Sequence, residues 1–273
     1  MPNELCPIAL ARSLELTAPG FIVTVYGDMV LPRGEVLSMA SLIDICARVG
    51  FGENQVRTAV SRLVAAGQLT GERQGRRSFY RLADTARAQF VQATTLLYAS
   101  DPKPYAWMLL AFDEVSDDLR RAYHMAHVGG ACWLAPDWGK VPPSSRLIMR
   151  STDAPGLAGF WDLAPLEARY DRMIEGFSPL QRLISDVAEP LVLRLLLVHA
   201  YRGALLRDPQ LPASQLPAEW SGARARALFR ELYVQLSALA EAQIPRFDGA
   251  DGALPARTEE STMQINGLMD FYK

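Results

Sequence analysis

One segment of thirty residues, 53–82, concentrates the side chains of this chain that bind anions. Six arginines lie in it against two glutamates, Glu53 and Glu72, within a chain whose formal net charge is −2. Guanidinium groups bind phosphate through paired N–H donors. Local positive charge of this kind is typical of surfaces that contact nucleic acid. The arginines are Arg57, Arg62, Arg73, Arg76, Arg77 and Arg81. The predicted chemistry is therefore phosphate recognition rather than bond making.

The first half of this segment has the spacing of an amphipathic helix that ends at Gly67. Its apolar stripe consists of Val56, Ala59, Val60, Leu63 and Val64. The opposite face carries small polar and basic side chains, namely Asn54, Arg57, Thr58 and Ser61, with Arg62 on the flank. Such side chains can reach base edges when the helix lies in the DNA major groove.

The second half alternates between apolar and polar residues and is interrupted at Gln74-Gly75, which predicts a β-hairpin. Arg73, Arg76 and Arg77 fall at its tip, and Tyr80 follows on the second strand. A basic hairpin that comes directly after a recognition helix is typical of a wing that contacts the phosphate backbone.

Two helices upstream complete the predicted DNA-binding unit. Ser38 can cap a helix that ends at Gly50, and a short glycine-containing connection leads from it to the recognition helix. Residues 21–30 have strand-like propensity, but the three-helix context favours a first helix there. The helix alone, or the hairpin alone, could equally be an ordinary solvent-exposed element without a role in binding. Their succession predicts a winged helix-turn-helix.

Several segments resemble the signature sequences of PaaX-type repressors, the bacterial regulators of phenylacetate degradation. In the N-terminal part these are residues 21–28, 56–63 and 75–82. In the C-terminal part they are residues 199–202, 206–212, 216–217 and 220–222. Two positions depart from the family pattern. Gly203 stands where family members tend to have a second arginine, and Gln68 where they tend to have an aromatic residue.

The resemblance implies a function and one fold feature. The function is a transcriptional repressor of an aromatic-acid catabolic operon, released from its operator by an aryl-acyl-CoA thioester such as phenylacetyl-CoA. The fold feature is a middle domain similar to the Cas2 nuclease fold. The strand-helix-strand-strand order from Ala106 to Arg150, with a helix from Ser116 to Gly129, independently suggests a small ferredoxin-like unit.

The predicted fold class is α+β, in five segments. They are a variable lead-in (1–17), a winged helix-turn-helix DNA-binding domain with a linker helix (18–100), a ferredoxin-like domain (101–165), a helical effector and dimerisation domain (166–245), and a glycine-rich mobile tail (246–273). The helical domain follows from long leucine-rich stretches at helical spacing, and the tail follows from irregular composition after Pro245.

The helical region also offers candidate effector-binding residues. His199, Tyr201, Arg202, Arg207 and Trp220 lie in or next to leucine-rich surroundings. Arginines can bind phosphates, and aromatic rings can stack on a nucleotide base or an aryl group. The alternative is an internal polar network that only fixes the fold.

The residues are also compatible with two other classes of function. Asp113 ends the first strand of the middle domain, where a Cas2-like metal-dependent nuclease would hold a carboxylate. The third hypothesis is a protein-interaction adaptor whose basic wing binds acidic partners. His124, His127 and Cys132 lack a fourth ligand, so no metal and no cofactor is predicted, and no established catalytic motif is present.

Composition and the size of a DNA site set the remaining expectations. The N-terminus lacks the pattern of a signal peptide, no apolar stretch is long enough to span a membrane, and three scattered cysteines suit a reducing compartment. A cytoplasmic protein without membrane contact is expected. One recognition helix covers only about 4 to 6 base pairs, so a homodimer on a double-stranded, roughly palindromic operator is predicted.

Overall fold

A computed structural model describes residues 6–98, 104, 106–152, 156–184 and 187–269, which form a mixed α+β protein. The chain divides into two units, each built from separate stretches. Unit 1 consists of Met1–Ser100, Arg169–Leu206 and Ala223–Lys273, and unit 2 of Asp101–Ala168 and Arg207–Gly222. The domain boundary that the sequence predicts at Asp101–Pro104 falls almost entirely outside the described residues.

The N-terminal part of unit 1 combines five helices with a small sheet. The helices are α1 (Pro7–Ser13), α2 (Ala18–Val25), α3 (Met39–Ala47), α4 (Glu53–Ala65) and α5 (Asp84–Tyr98). The antiparallel sheet has the strand order β1-β3-β2, from β1 (Val36–Ser38), β2 (Leu69–Gln74) and β3 (Arg77–Leu82). Helix α2 continues through π-helical Tyr26–Val30 and 3-10 Leu31–Arg33. Residues 21–30 are helical, as predicted, and Phe21, Ile22 and Val25 are fully buried.

Local sequence signals account for the boundaries of these elements. The Ser38 hydroxyl accepts a hydrogen bond from the backbone N–H of Ser41 at 3.1 Å and so caps α3. Gly67 follows α4 with φ 67°, and Gly75 turns the hairpin with φ 62°, both in the left-handed region that favours glycine. One predicted core position differs. Val64 is 38% exposed, because the helix turns it away from the buried stripe.

The C-terminal part is helical, followed by a short sheet and a last helix. Its helices are α7 (Ala164–Phe177), α8 (Leu180–Leu183), α9 (Pro190–Leu205), α10 (Ser221–Ala240) and α11 (Glu259–Met269). Between α10 and α11 lie the 3-10 turn Ile244–Arg246 and two paired strands, β8 (Asp248–Gly249) and β9 (Gly252–Ala253).

A buried carboxylate joins four helical segments of unit 1. Arg194 of α9 donates to one Asp28 oxygen from Nη2 at 2.8 Å and from Nε at 3.1 Å. The hydroxyls of Tyr98 and Tyr233, from α5 and α10, donate to the other oxygen at 2.7 and 2.9 Å. The side chains of Asp28 and Arg194 are 0% and 3% exposed. Burial opposes the charge on Arg194, but the Asp28 carboxylate outweighs it and raises the arginine pKa.

The segment predicted to be a mobile tail, 246–273, is folded against unit 1 as far as residue 269. Arg33 is buried and donates from Nε to the backbone carbonyl of Pro255 at 3.1 Å. Gly267 of α11 lies against the Tyr98 carbonyl so closely that a β-carbon there would overlap it. These partners are far apart in sequence. Local composition therefore gives no sign of the contacts that order this segment.

Unit 2 contains a four-stranded antiparallel sheet covered on both faces. Its strands are β4 (Ala106–Ala111), β5 (Ala126–Gly129), β6 (Cys132–Asp137) and β7 (Arg146–Ser151), in the order β5-β6-β4-β7. Short helix α6 (Asp117–Ala122) follows β4, and its Leu119 packs with Met108 and Leu110 on one face. On the other face Trp107 packs with Leu211, which the proline-rich segment before α10 contributes.

The prediction of one helix from Ser116 to Gly129 is wrong for its second half. Ser116 does cap α6, but the helix ends at Ala122 and the chain then forms strand β5. Ala126 pairs with Leu134 of β6, and Gly129 and Gly130 adopt positive φ at the turn between the two strands. Cross-strand pairing thus overrides a helical pattern that was only locally favourable.

We predict that Asp28→Asn destabilises the protein by about 3–5 kcal/mol, because it removes one partner of a buried ion pair and leaves the Arg194 charge uncompensated. Urea unfolding gives the measurement. Arg87→Gln is the matched control. It breaks the more exposed Arg87–Glu35 pair of unit 1, so it should lower the free energy of unfolding far less than Asp28→Asn does. Equal losses for the two variants would contradict a central role for Asp28.

Candidate nucleic-acid interface

Helix α4 and the β2–β3 hairpin line one cleft of about 440 Å³. The lining residues are Met39, Arg57, Ser61, Val64, Gly71, Glu72, Arg73, Ser78 and Tyr80. Four of the nine predicted DNA-binding residues, Arg57, Ser61, Arg73 and Tyr80, are therefore together in space. The helix and the hairpin form one continuous polar and basic surface.

Helix α4 buries Val56, Ala59, Val60 and Leu63, which leaves its opposite face to solvent. Asn54, Thr58 and Arg62 are exposed on this helix beside the cleft residues. Arg57 forms an ion pair with Glu53, one turn earlier, at 2.7 Å between Nη2 and Oε1. Both side chains are more than half exposed, so the pair contributes only about 0–1 kcal/mol. An incoming phosphate or base can therefore displace Glu53.

A glycine on β2 makes room for Tyr80 in the cleft. Tyr80 pairs with Gly71 across the hairpin, and a β-carbon at Gly71 would come within 2.9 Å of the Tyr80 ring. The Tyr26 hydroxyl donates to the backbone carbonyl of Tyr80 at 3.0 Å, which connects β3 to the helical segment after α2. The sequence pattern placed Tyr80 correctly on the second strand but gave no reason for Gly71.

The hairpin tip has one arginine with a distant carboxylate partner. Arg76 is exposed at the turn, and Arg77 Nη1 lies 3.4 Å from Asp248 Oδ2. The backbone N–H of Asp248 donates to Ser41 Oγ at 2.8 Å, which fixes strand β8 beside α3. Sequence reasoning missed Asp248 because it lies 171 positions after Arg77 in the chain. The Glu53–Arg57 pair, by contrast, has the i,i+4 spacing that a helix brings together.

Three candidate effector residues belong to α9 in unit 1. His199 Nδ1 lies 3.0 Å from Thr24 Oγ1, and burial together with the nearby Arg202 charge lowers the His199 pKa to about 4. Tyr201 is buried, stacks on Phe229 with 4.3 Å between ring centroids, and accepts a hydrogen bond from Arg226. Arg202 is half-buried. Tyr201 is thus part of the core.

The other two candidates, Arg207 and Trp220, belong to unit 2. Arg207 is exposed and Trp220 is buried. A β-carbon at Gly222 would overlap the Trp220 indole nitrogen, so the glycine of the Trp-Ser-Gly sequence is needed for this ring position. The five residues are therefore divided between two units, which their closeness in sequence did not indicate.

Of the residues considered for catalysis or metal binding, Asp113 and His127 have side-chain partners and His124 has a backbone one. Asp113 Oδ1 pairs with Arg146 at 2.9 Å, and a His127 ring nitrogen lies 2.9 Å from the Gly130 carbonyl oxygen. The His124 carbonyl accepts a hydrogen bond from Trp161 at 3.0 Å. Within the described ranges, three or more metal-ligating side chains do not cluster anywhere.

Two family models match the chain and together span more than half of it. PaaX-like protein matches residues 17–86, and the PaaX-like protein C-terminal domain matches residues 161–246. The chain belongs to the PaaX-like family. It is also 28% identical to the transcriptional repressor PaaX of Escherichia coli (strain K12), over 94% of this chain and 92% of that protein.

The two PaaX-like matches fall mainly on unit 1. The first covers α2 to β3, which includes the cleft, and the second includes α9 and α10. The uncharacterized protein Rv0674 from Mycobacterium tuberculosis has a similar fold, with a TM-score of 0.52 and 23% identity over 83% of this chain and 98% of that chain. This similarity extends the shared fold beyond the two matched regions.

Among the described residues of this PaaX-like chain, no single helix is long and apolar enough to cross a membrane. One strongly bent pair, Pro7–Ser13 with Ala18–Arg33, meets the length and composition requirements together. In this pair Phe21, Ile22 and Val25 are fully buried in the protein, as in a core helix.

We predict that His199 makes the protein less stable as the pH falls from about 6.5 to about 4. The folded state holds the ring neutral, whereas the unfolded state binds a proton in this window, so stability is lost as the pH drops. Urea unfolding between pH 4 and 7 should show a shallower acid loss for His199→Gln than for the wild type. His127→Gln, at an exposed histidine, is the control and should follow the wild type. Parallel pH curves for the wild type and His199→Gln would refute the claim that His199 contributes to the acid loss of stability.

Proposed function

We propose that this PaaX-like protein is a DNA-binding transcriptional repressor. The observation that carries the proposal is the convergence of the polar face of α4 and the arginines of the hairpin on one surface. Similarity to a transcriptional repressor over nearly the full length of both chains supports it. That similarity does not favour the nuclease alternative, and the exposed Asp113 carboxylate is engaged with Arg146.

We infer that residues 18–98 act as a winged helix-turn-helix with α3 and α4 as its two central helices. A connection of a few residues joins these helices, and the hairpin follows α4 directly. In this arrangement α4 lies in the major groove, where Arg57 binds a base edge, with Asn54, Thr58, Ser61 and Arg62 beside it. Arg73, Arg76 and Arg77 bind phosphates, and Tyr80 supports the wing from the cleft.

We further propose that unit 2 is a ferredoxin-like domain similar to the Cas2 fold. Its antiparallel strand order, with the first strand inside and β7 at one edge, supports this. The unit departs from a complete β-α-β-β-α-β arrangement at one point. Its third and fourth strands, β6 and β7, are joined by residues 138–145, which contain no helix.

The proposed working form is a cytoplasmic homodimer on a roughly palindromic, double-stranded operator. One α4 helix contacts about 4 to 6 base pairs, which is too few for selection within a genome. A two-fold axis through the protein doubles the recognised sequence and matches the symmetry of such an operator.

The proposed effector is an aryl-acyl-CoA thioester, with phenylacetyl-CoA as the leading candidate. Such a ligand combines phosphates, an adenine ring and an apolar acyl end. In unit 1, Arg202 has the charge to bind phosphate, and His199 and the core residue Tyr201 are the aromatic candidates. In unit 2, Arg207 is the candidate for phosphate and Trp220 for stacking. The cavity that His199 lines is only about 90 Å³, so a CoA ester needs a rearranged site there. To shift the ratio of the DNA-binding to the non-binding conformation from 99:1 to 1:99, the effector must favour the non-binding conformation by about 5.5 kcal/mol, shared by the two sites of a dimer.

Arg57→Ala and Arg76→Ala should weaken DNA binding in different ways. Arg57→Ala should cost about 1–3 kcal/mol on the operator and relax specificity, because it removes a base contact. Arg76→Ala should weaken binding to all DNA alike and reduce the salt slope by about one unit. Fluorescence anisotropy with operator and scrambled duplexes over a range of salt concentrations measures both effects.

Arg182→Ala is the control for both variants, since Arg182 is an exposed arginine on α8. It should bind DNA as the wild type does. Identical behaviour of Arg57→Ala and Arg76→Ala on both duplexes would show that the proposed division between base and phosphate contacts is incorrect. Failure of the wild type to distinguish the duplex upstream of its own gene from the scrambled one would contradict the repressor proposal.

Arg207→Ala should leave operator binding intact and make the repressor insensitive to phenylacetyl-CoA. Removing a phosphate contact lowers the affinity for the effector and leaves the proposed DNA-binding surface unchanged. Calorimetry with phenylacetate, CoA and phenylacetyl-CoA, followed by operator release, is the measurement. Arg202→Ala tests the unit 1 candidate in the same way, and Arg121→Ala, an exposed arginine of unit 2, is the control. Binding of free phenylacetate alone would overturn the thioester proposal.

A further inference from the structure

Unit 1 also contains a cavity of about 820 Å³, larger than the nucleic-acid cleft. Its walls are the turn Leu31–Glu35, Arg81 of β3, one face of α5 and one face of α11, so it is called the α5–α11 groove. Sites that bind small organic molecules have volumes in this range. The described lining of the groove includes none of the five candidate effector residues. The groove therefore has no role in the function proposed above.

Two helices face each other across the groove. They touch at one end, because a β-carbon at Gly267 of α11 would overlap the Tyr98 carbonyl at the end of α5. From Arg87 to Tyr98 helix α5 rises by about 16 Å, so the groove is long. The lining positions recur every three or four residues, as one helix face does. They are Arg87, Val91, Thr94, Thr95 and Tyr98 on α5, and Glu260, Met263, Gln264 and Gly267 on α11.

The facing sides of the two helices expose apolar side chains. Val91 of α5 is 44% exposed and Met263 of α11 is 62% exposed, and both line the groove. Leu31 and Pro32 add apolar surface from the turn. An alkyl chain laid along these side chains would remove apolar surface from water, which is favourable roughly in proportion to the area covered.

A buried amide lines the same groove. Gln264 is only 8% exposed, and the described part of the chain gives its carboxamide no hydrogen-bond partner. Buried polar groups without a hydrogen bond are rare, because each carries a desolvation cost that no partner offsets. An amide group of a ligand can both donate to and accept from this side chain.

The charged residues of the groove leave one arginine for an anion. Arg87 pairs with Glu35, and Arg33 donates to backbone carbonyls. Glu260 lies in the first turn of α11, where the helix dipole favours a carboxylate. Arg81 is exposed, and among the described residues no carboxylate pairs with it. Its guanidinium can therefore bind a ligand carboxylate through two parallel hydrogen bonds.

We propose that the α5–α11 groove binds an N-acyl amino acid. The carboxylate of such a ligand binds Arg81, its amide bonds to Gln264, and its acyl chain covers Val91 and Met263. Each part of the ligand thus answers a feature of the wall that the folded chain leaves unsatisfied. A plain fatty acid shares the carboxylate and the chain but lacks the amide.

Calorimetry of the full chain with three probes below their micelle-forming concentrations tests the ligand class. N-octanoylglycine should bind most tightly. Octanoate, which lacks the amide, should bind about threefold to tenfold more weakly. Neutral N-octanoylglycinamide should bind at least about tenfold more weakly, because it loses the charged contact. Equal affinity for octanoate and N-octanoylglycine would assign the groove to fatty acids instead. Equal affinity for the neutral probe, or no binding of any probe, overturns the proposal.

Three variants locate the binding within the groove. Arg81→Gln should weaken both carboxylates at least about tenfold. Gln264→Leu, of similar size, should abolish the preference for N-octanoylglycine over octanoate and leave octanoate binding unchanged. Val91→Glu should weaken every probe, because it puts a charge where the chain lies. Arg182→Gln, at an exposed arginine of α8, is the matched control and should bind as the wild type does.

The test does not depend on the stability of any one variant or on DNA. Arg81 and Val91 are exposed, so their variants should unfold thermally as the wild type does. Wild-type affinity for N-octanoylglycine in both of these variants overturns the site. The titrations contain no DNA, so their failure would leave the repressor proposal unaffected, and failure of operator binding would leave this site unaffected.

Discussion

The buried ion pair between Asp28 and Arg194 is the contact on which unit 1 depends. It connects the segment after α2 with α9, and two tyrosine hydroxyls add α5 and α10 to the same carboxylate. Removing either charge leaves the other stranded away from water. The N-terminal and C-terminal regions that the two family models match separately thus share one core.

Elements set by local rules could be predicted from the sequence. The polar face of α4, the Ser38 cap and the glycine-turned hairpin all follow from spacing and residue type within about thirty positions. Relations between distant residues could not be predicted. The Arg77–Asp248 pair, the Arg33–Pro255 hydrogen bond and the separation of Tyr201 from Trp220 into different units depend on the tertiary fold. For the same reason strand β5 was mistaken for the end of a helix.

The basic surface is partly neutralised before any DNA arrives. Glu53 lies on Arg57 and Asp248 lies on Arg77, both in exposed pairs of small net energy. In the proposed DNA complex, phosphate or base oxygens would replace these carboxylates, so binding would exchange one anion for another. Such an exchange would lower the affinity for arbitrary DNA and leave more of the binding energy to contacts that depend on sequence.

The interleaved order of the two units has a consequence for synthesis on the ribosome. Residues 1–100 emerge first, but Arg194, Tyr233 and the carbonyl partners of Arg33 are made much later. Domains generally fold as units while the chain grows. The four-stranded sheet of the inserted unit can form as soon as its strands have emerged. Until α9 and α10 have been made, Asp28 lacks Arg194 and Tyr233 and has only Tyr98 among its three partners. A truncated chain would therefore expose a hydrophobic, charge-bearing surface of the kind that chaperones and proteases recognise.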